Sequence, residues 1–321
     1  MDADAIIDRR RLRRKLGFWR TGTLLILLAL VGAGVYWSMP NVSSKDHIAR
    51  IEITGLIQED DDLIKLIDDV AKSAAAKALV VTISSPGGTT YGGERIYKAL
   101  LRVGETKPVV ADVRTLAASA GYMIAASTDH IVAGESSIVG SIGVIFQYPQ
   151  VQELLDKVGV SVEAIKSAPL KAEPSPFHDA SPAAREMIRS LVLDSYDWFV
   201  DMVAERRDME RSRALALADG SIFTGRQGLA NGLVDALGGE AEIRAYLEEQ
   251  GIGAGLEIVE WKPSSRDQRG LLPWLAMLVF EGLSDTPAGL AEQFGKLGGG
   301  KLFLDGLLSV WQVGGNSTMK N

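Results

Sequence analysis

Ala78-Leu79-Val80-Val81-Thr82-Ile83-Ser84-Ser85-Pro86-Gly87-Gly88 is the stretch on which the fold turns. Residues 78–83 form a nearly unbroken apolar run, the pattern of a strand buried on both faces of a parallel sheet. The run stops at Ser-Ser-Pro-Gly-Gly, which predicts a sharp turn. A helix then follows through Arg95 to Val103. The same rhythm repeats downstream. Residues 108–113 read as a second buried strand, and a helix of small residues runs from about 117 to 126. Residues 131–133 form a short strand and 138–145 a glycine-punctuated one. Residues 151–158 read as helix and 162–165 as strand. Upstream, Ile48-Ala49-Arg50-Ile51-Glu52-Ile53 alternates as a half-buried strand does, and 60–76 carries the apolar spacing of an amphipathic helix. Alternating strands and helices joined by short turns imply an α/β fold with right-handed crossovers. Residues 181–218 add long, charge-rich helical patterns as an extension.

Around this body the chain is uneven in charge. The 321 residues carry a net charge of −7, yet residues 1–20 hold seven Lys or Arg against Asp2, Asp4 and Asp8. That is +4 for the leader and therefore −11 for the rest. An acidic body is poorly matched to a phosphate backbone, which argues against a nucleic-acid partner. The absence of cysteine excludes disulfides, thiolate nucleophiles and cysteine-ligated metals.

Residues 21–39 contain no charge and span roughly 28 Å as a helix, close to the hydrocarbon thickness of a bilayer. Trp19 and Trp37 stand near the ends of the run, where indoles favour the interface. The division expected is a basic cytoplasmic tail over 1–20, a transmembrane anchor over 21–39, a linker over 40–47, a catalytic body over 48–262 and a Gly-rich, partly amphipathic and partly disordered tail over 263–321. Tyr36-Trp37-Ser38-Met39-Pro40 is a poor cleavage site, which favours a retained anchor over a signal peptide. The positive leader places the N-terminus in the cytoplasm and the body outside it. A second apolar stretch, 271–280, is too short to span and contains Pro273.

Chemistry in α/β folds gathers where strands end. The Ser85–Gly88 turn reads either as a plain tight turn or as a row of N–H groups for an oxyanion. Ala117-Ala118-Ser119-Ala120-Gly121 places a serine after a buried strand, among neighbours small enough for a peptide carbonyl to approach. Such a serine needs a base. His47 falls beside the anchor, His130 at a helix-to-strand corner and His178 in a Pro-rich loop, where it is the best of the three histidines. No His-Glu-x-x-His or comparable spacing offers a metal site, and no cofactor is implied. Lysine is the other option, provided burial or a nearby cation lowers its pKa. Lys166 and Lys171 both qualify by position, and the residues alone do not choose between them.

Taken in order, these segments resemble the bacterial signal peptide peptidase A family, serine proteases of family S49 with a crotonase or Clp-protease-like fold of repeated β-β-α units. The resemblance covers about residues 48–245. It rests on Ser84-Ser85-Pro86-Gly87-Gly88, Thr115-Leu116-Ala117-Ala118-Ser119-Ala120-Gly121-Tyr122, Val139-Gly140-Ser141-Ile142-Gly143-Val144, Ile165-Lys166-Ser167-Ala168-Pro169-Leu170-Lys171, and Thr224-Gly225-Arg226-Gln227 with Gly232-Leu233-Val234-Asp235. It implies Ser119 as nucleophile, Lys171 as general base and Ser141 as the residue that orients the lysine. The N–H groups of Gly88 and Ala120 would form the oxyanion hole, and Ala117, Tyr122 and Ile145 are candidates for lining the substrate pocket. Two departures stand out. Ser84 replaces the usual Asn, and Ala172-Glu173-Pro174-Ser175-Pro176 shifts the Ser-Pro pair that normally follows the lysine. The resemblance further implies a ring-like homo-oligomer with sites shared between subunits, and signal peptides or other membrane-released peptides as substrates. Its membrane would be the bacterial inner membrane, with the body periplasmic. The competing readings are a non-catalytic membrane-anchored scaffold and a crotonase-class acyl-CoA enzyme.

Overall fold

The computed structural model describes residues 45–263 without a break, the strand Leu308–Val310, and helical positions at 19, 22, 23, 25–27, 29, 30 and 32. Two units divide the chain, 1–44 with 265–285 and 45–264 with 286–321, and the second contains the whole sheet. Most of the anchor expected over 21–39, the apolar stretch 271–280 and most of the tail lie outside the described residues. Among the described residues no helix is long and apolar enough to cross a membrane.

Nine strands are described. The main path orders β6 (Ile222–Thr224), β5 (Ile138–Gly140), β3 (Val109–Ala118), β2 (Ala76–Thr89), β1 (His47–Ile57) and β8 (Glu257–Glu260). β4 (His130–Ala133) branches from β3 and pairs β7 (Ala236–Leu237), while β9 (Leu308–Val310) pairs β2. All pairings are parallel except β5 with β6 and β2 with β9. The apolar run that sets the fold explains the layering. Leu79, Val81 and Ile83 enter the larger core on one face, and Ala78 and Val80 enter a second cluster with Val110, Val132, Ile243 and Leu247 on the other. A period of two therefore buries every residue of the run.

The helices follow from caps and stripes. In α1 (Asp61–Lys72) the Asp60 carboxylate accepts from Leu63 N–H at 2.9 Å, and Leu63, Leu66, Ile67 and Val70 turn inward. At its far end Lys107 Nζ donates to Val70 O at 2.6 Å. α2 (Thr90–Gly104) is capped by Thr89, whose Oγ1 accepts from Gly92 N–H. α3 (Ala120–Ala126) is buried along its whole length. α4 (Gln152–Lys157) buries nothing. α5 (Pro182–Arg206) buries chiefly its C-terminal half through Phe199, Val200, Met202, Val203 and Ala204. α6 (Arg211–Ala216), α7 (Gly225–Asn231) and α8 (Glu240–Glu249) complete the set.

Three expectations are corrected. The sharp turn predicted at 84–88 is absent, because β2 stays extended to Thr89. β1 continues beside it, with Leu56 opposite Gly87 and Ile57 opposite Gly88, so the ladder holds the backbone straight through the Pro-Gly-Gly. The bend is absorbed by register shifts at Thr54/Leu56 and Ile83/Ser85 and by Gly87 at φ 107°. The strand predicted over 162–165 does not form either. Its alternating side chains are exposed and no neighbouring strand pairs them. The glycine-punctuated strand also ends early, at Gly140, where Gly140 and Ser141 both take positive φ.

The last carbonyls of α3 are satisfied by a side chain from α5. Arg206 Nε donates to Ala126 O at 3.1 Å, and its Nη2 to Ser127 O and Thr128 O at 3.2 and 3.1 Å. Arg206→Met keeps the aliphatic stem and removes these bonds. It is expected to lower unfolding stability by about 2 kcal/mol in urea titrations, the worth of charge-assisted hydrogen bonds that leave buried acceptors behind.

Candidate active site

β3 leaves the apolar interior at Ala118, and the next residue, Ser119, stands at φ 58° and ψ −118° before α3 begins. A side chain at positive φ is strained and needs outside constraint. The constraint comes from β5, since Ser119 N–H donates to Gly140 O at 2.8 Å. Gly140 is followed by Ser141, also at positive φ and buried, whose N–H donates to Ser221 O at 2.7 Å. The fold thus brings the Ser119 and Ser141 segments side by side.

On the opposite flank lies the end of β2. Ser85 pairs with Ala117, and a Cβ added at Gly121 would stand 2.9 Å from Ser85 O. Gly93 packs against Ala120, leaving 3.1 Å for an added Cβ. Ser85 Oγ donates to Gly55 O at 2.7 Å and accepts from Gly87 N–H at 3.1 Å, which fixes the glycine pair. Beyond Ser85, β3 turns away to pair β5, and the edge of Gly87–Thr89 is taken instead by the antiparallel β9, with Gly88 opposite Ser309. Ser119 itself is 1% exposed, between the end of β3 and the start of α3.

The expected pocket residues divide. Ala117 and Tyr122 are fully buried, and Tyr122 commits its hydroxyl to Leu233 O at 2.9 Å, with burial raising the phenol above its ordinary pKa. Tyr122 is a core residue, so the structure gives it no open surface to offer a substrate. Ile145 is 39% exposed and open to solvent. A cavity of about 510 Å³ lies elsewhere, along β1, lined by residues that include Arg50, Glu52, Leu56, Thr82, Arg114 and Trp261 and not by Ser119, Ser141 or Lys171.

The rival bases are all engaged. His47 is not linker but the buried first residue of β1, and it accepts from Trp261 Nε1–H at 3.1 Å. His130 stacks on Tyr246 with ring centroids 4.2 Å apart, and burial holds its pKa below the ordinary value. Lys166 and His178 both meet the Glu173 carboxylate, Lys166 in a short ion pair and His178 Nε2 at 3.3 Å from Oε1. Glu173 drew no notice in the sequence, although its place two residues after Lys171 in an altered loop was a usable signal. Lys171 itself is exposed, and its side chain makes no hydrogen bond or ion pair to another described residue.

With that geometry in place, comparison with known proteins gives a consistent answer. Residues 102–252 match the profile of Peptidase family S49, a span that contains Ser119, Ser141 and Lys171, while Gly88 precedes it. A Synechocystis protein that carries a protease name is 40% identical over 207 residues, 64% of this chain and 74% of that one. A Methanocaldococcus jannaschii protein, also named as a protease, is 32% identical over 235 residues, 73% and 76% of the two chains. An Enterococcus faecium protein named as a signal peptide peptidase is 30% identical over 274 residues, 80% and 79% of the two chains. The chain belongs to peptidase family S49, the signal peptide peptidase family, and is a serine peptidase.

The glycine pair has no room for a side chain. A Cβ at Gly88 would lie 1.8 Å from Ile57 O, a backbone atom of the neighbouring strand. Gly88→Ala is expected to cost about 3 kcal/mol or more of stability by forcing β1 from β2. Thermal unfolding of the variant beside Gly93→Ala, where an added Cβ would meet Ala120 Cβ and Met123 Sδ at 3.1 Å rather than a backbone carbonyl at 1.8 Å, checks the ordering.

Proposed function

We propose that this chain is a membrane-anchored serine endopeptidase that works through a Ser119–Lys171 dyad contributed by neighbouring copies. Its substrates are cleaved signal peptides and other peptides released from the membrane or unfolded. The reading is carried by one observation. Ser119 sits at a strained, buried helix start, while His47, His130, Lys166 and His178 are each engaged by another group and Lys171 is exposed.

In this mechanism the Lys171 amine takes the Ser119 Oγ proton as Oγ bonds to the peptide carbonyl carbon. The N–H groups of Gly88 and Ala120 receive the developing oxyanion, and the Ser141 hydroxyl hydrogen-bonds the amine. The ammonium returns its proton to the leaving nitrogen as the peptide bond breaks, leaving an acyl ester on Ser119. Water deprotonated by the same lysine then releases the acid. An extended peptide pairing with the Gly87–Thr89 edge would run past the nucleophile. Support for that path comes from β9, an antiparallel strand accepted at the same edge.

A shared site is supported by the surface around Lys171. Leu154, Val158, Val160, Val162, Ile165 and Leu170 are exposed, an apolar display beyond what an isolated chain keeps in water. A second copy of the chain is the occupant that would cover it and supply the missing half of each site. A periplasmic body anchored in the bacterial inner membrane, within reach of spent signal peptides, is the reading that the basic leader and the uncharged run 21–39 support.

Ser119→Ala and Lys171→Ala are each expected to abolish cleavage of a leucine-rich fluorogenic peptide. Co-expressed in one assembly, the two inactive variants are expected to regain activity, because mixed neighbours rebuild intact sites. Turnover by either variant alone would overturn the dyad. A mixture that stays silent although it co-assembles would overturn the sharing of sites between copies.

A further inference from the structure

Residues 159–179, which carry Lys171, have almost no core of their own: Ser175 is the one buried residue among them. Hydrophobic burial therefore does not set the direction in which Lys171 leaves the chain. The loop is closed instead around one carboxylate. Glu173, with a side chain 6% exposed, receives Lys166 from seven residues upstream and faces His178 five residues downstream, with Lys166 Nζ and His178 Nε2 3.5 Å apart. The hydrogen bond from Lys166, together with the Lys166 charge, holds the Glu173 carboxyl below the ordinary carboxylate range, so it is an anion at neutral pH. Lys171 N–H bonds back to Ala168 O at 3.1 Å, and Ala172, between Lys171 and Glu173, is forced to φ 58°. An alanine in the left-handed region does not stay there unaided. The anchored carboxylate one residue further on supplies the restraint.

From this arrangement, and resting on the reading of Lys171 as the base, we propose that Glu173 is the positioning residue of the catalytic lysine. Its carboxylate gathers Lys166 and His178 and thereby fixes the strained Lys171–Ala172–Glu173 backbone. Stability alone is a poor account of the group. Glu173 Oε2 is buried and accepts no hydrogen bond among the described residues, an arrangement that costs stability rather than adding it. What a buried, charge-paired group of this kind supplies is a single loop conformation. The altered Ala172-Glu173-Pro174-Ser175-Pro176 sequence is then a different solution to holding the same lysine.

The test compares wild type, Glu173→Gln, Glu173→Asp, Lys166→Met, the Lys166→Met/Glu173→Gln double variant and Lys171→Ala, each as the full chain, on one fluorogenic peptide. Glu173→Gln is expected to lower kcat by about 10–100-fold, the cost of an ångström-scale misplacement of a reacting group, with KM within about twofold and Tm essentially unchanged. Glu173→Asp, which keeps the charge, should recover part of the loss. The double variant should be no slower than Glu173→Gln alone, because the two groups act as one unit. An inactive Lys171→Ala beside a Glu173→Gln enzyme of undiminished kcat would overturn the positioning role and leave the dyad standing. A kcat loss that tracks a fall in Tm and a rise in KM would also overturn it, making Glu173 a folding residue. Full activity in Lys171→Ala would remove the base assignment and this proposal with it.

Discussion

The hydrogen bond from Ser119 N–H to Gly140 O is the point on which the site depends. It joins the end of β3 to the end of β5 at the place where both strands give way to positive φ. It restrains Ser119 in a conformation that L-residues avoid. The same bond sets Ser141 beside the nucleophile, because Ser141 follows Gly140 directly and is tied in turn to Ser221. The opposite wall is fixed by close backbone approach, with Ser85, Gly88, Gly93 and Gly121 packed at distances that admit no added methyl without displacement of a neighbour. Tight, buried surroundings for Ser119 follow from sheet geometry and small residues. They ask little of the side chains themselves.

The base lies in a different physical regime. The strands around Ser119 are buried on both faces, whereas the loop bearing Lys171 is solvated and closed by charge. Electrostatic closure in water is weak for an exposed pair and gains strength when the carboxylate is withdrawn from solvent, as Glu173 is. This contrast explains why Lys166 and His178, both chemically suited to act as bases, are absent from the reaction proposed here. Their interaction with Glu173 is what gives the loop its shape.

Legibility in the sequence divides along the same line. The runs 78–83 and 108–113 reveal their strands because periodicity reports burial, and these strands are buried. The persistence of β2 through Ser-Pro-Gly-Gly was hidden, since it depends on β1 continuing alongside it, a long-range pairing that local turn propensity does not contain. The alternation at 162–165 misled for the converse reason. It has the pattern of a strand without a partner to pair with. Ser119 stands out in the sequence by its small neighbours and its position after a buried strand, and the structure places it there, buried at the start of α3. The choice between Lys166 and Lys171 was not readable from the residues, because a loop without a core leaves no periodic trace. His47 was misplaced as linker because its burial is created by Trp261, more than two hundred residues away.

The two regimes also account for why one chain looks incomplete. A general base works best away from bulk water, and Lys171 is exposed, so the proposed dyad calls for a second surface to cover it. The exposed apolar residues beside it, from Val158 to Leu170, are placed to draw such a surface in by the hydrophobic effect. In the reading proposed above, assembly would cover the Lys171 side chain and present it to Ser119 of a neighbouring copy, and proteolysis would then be confined to the assembled state.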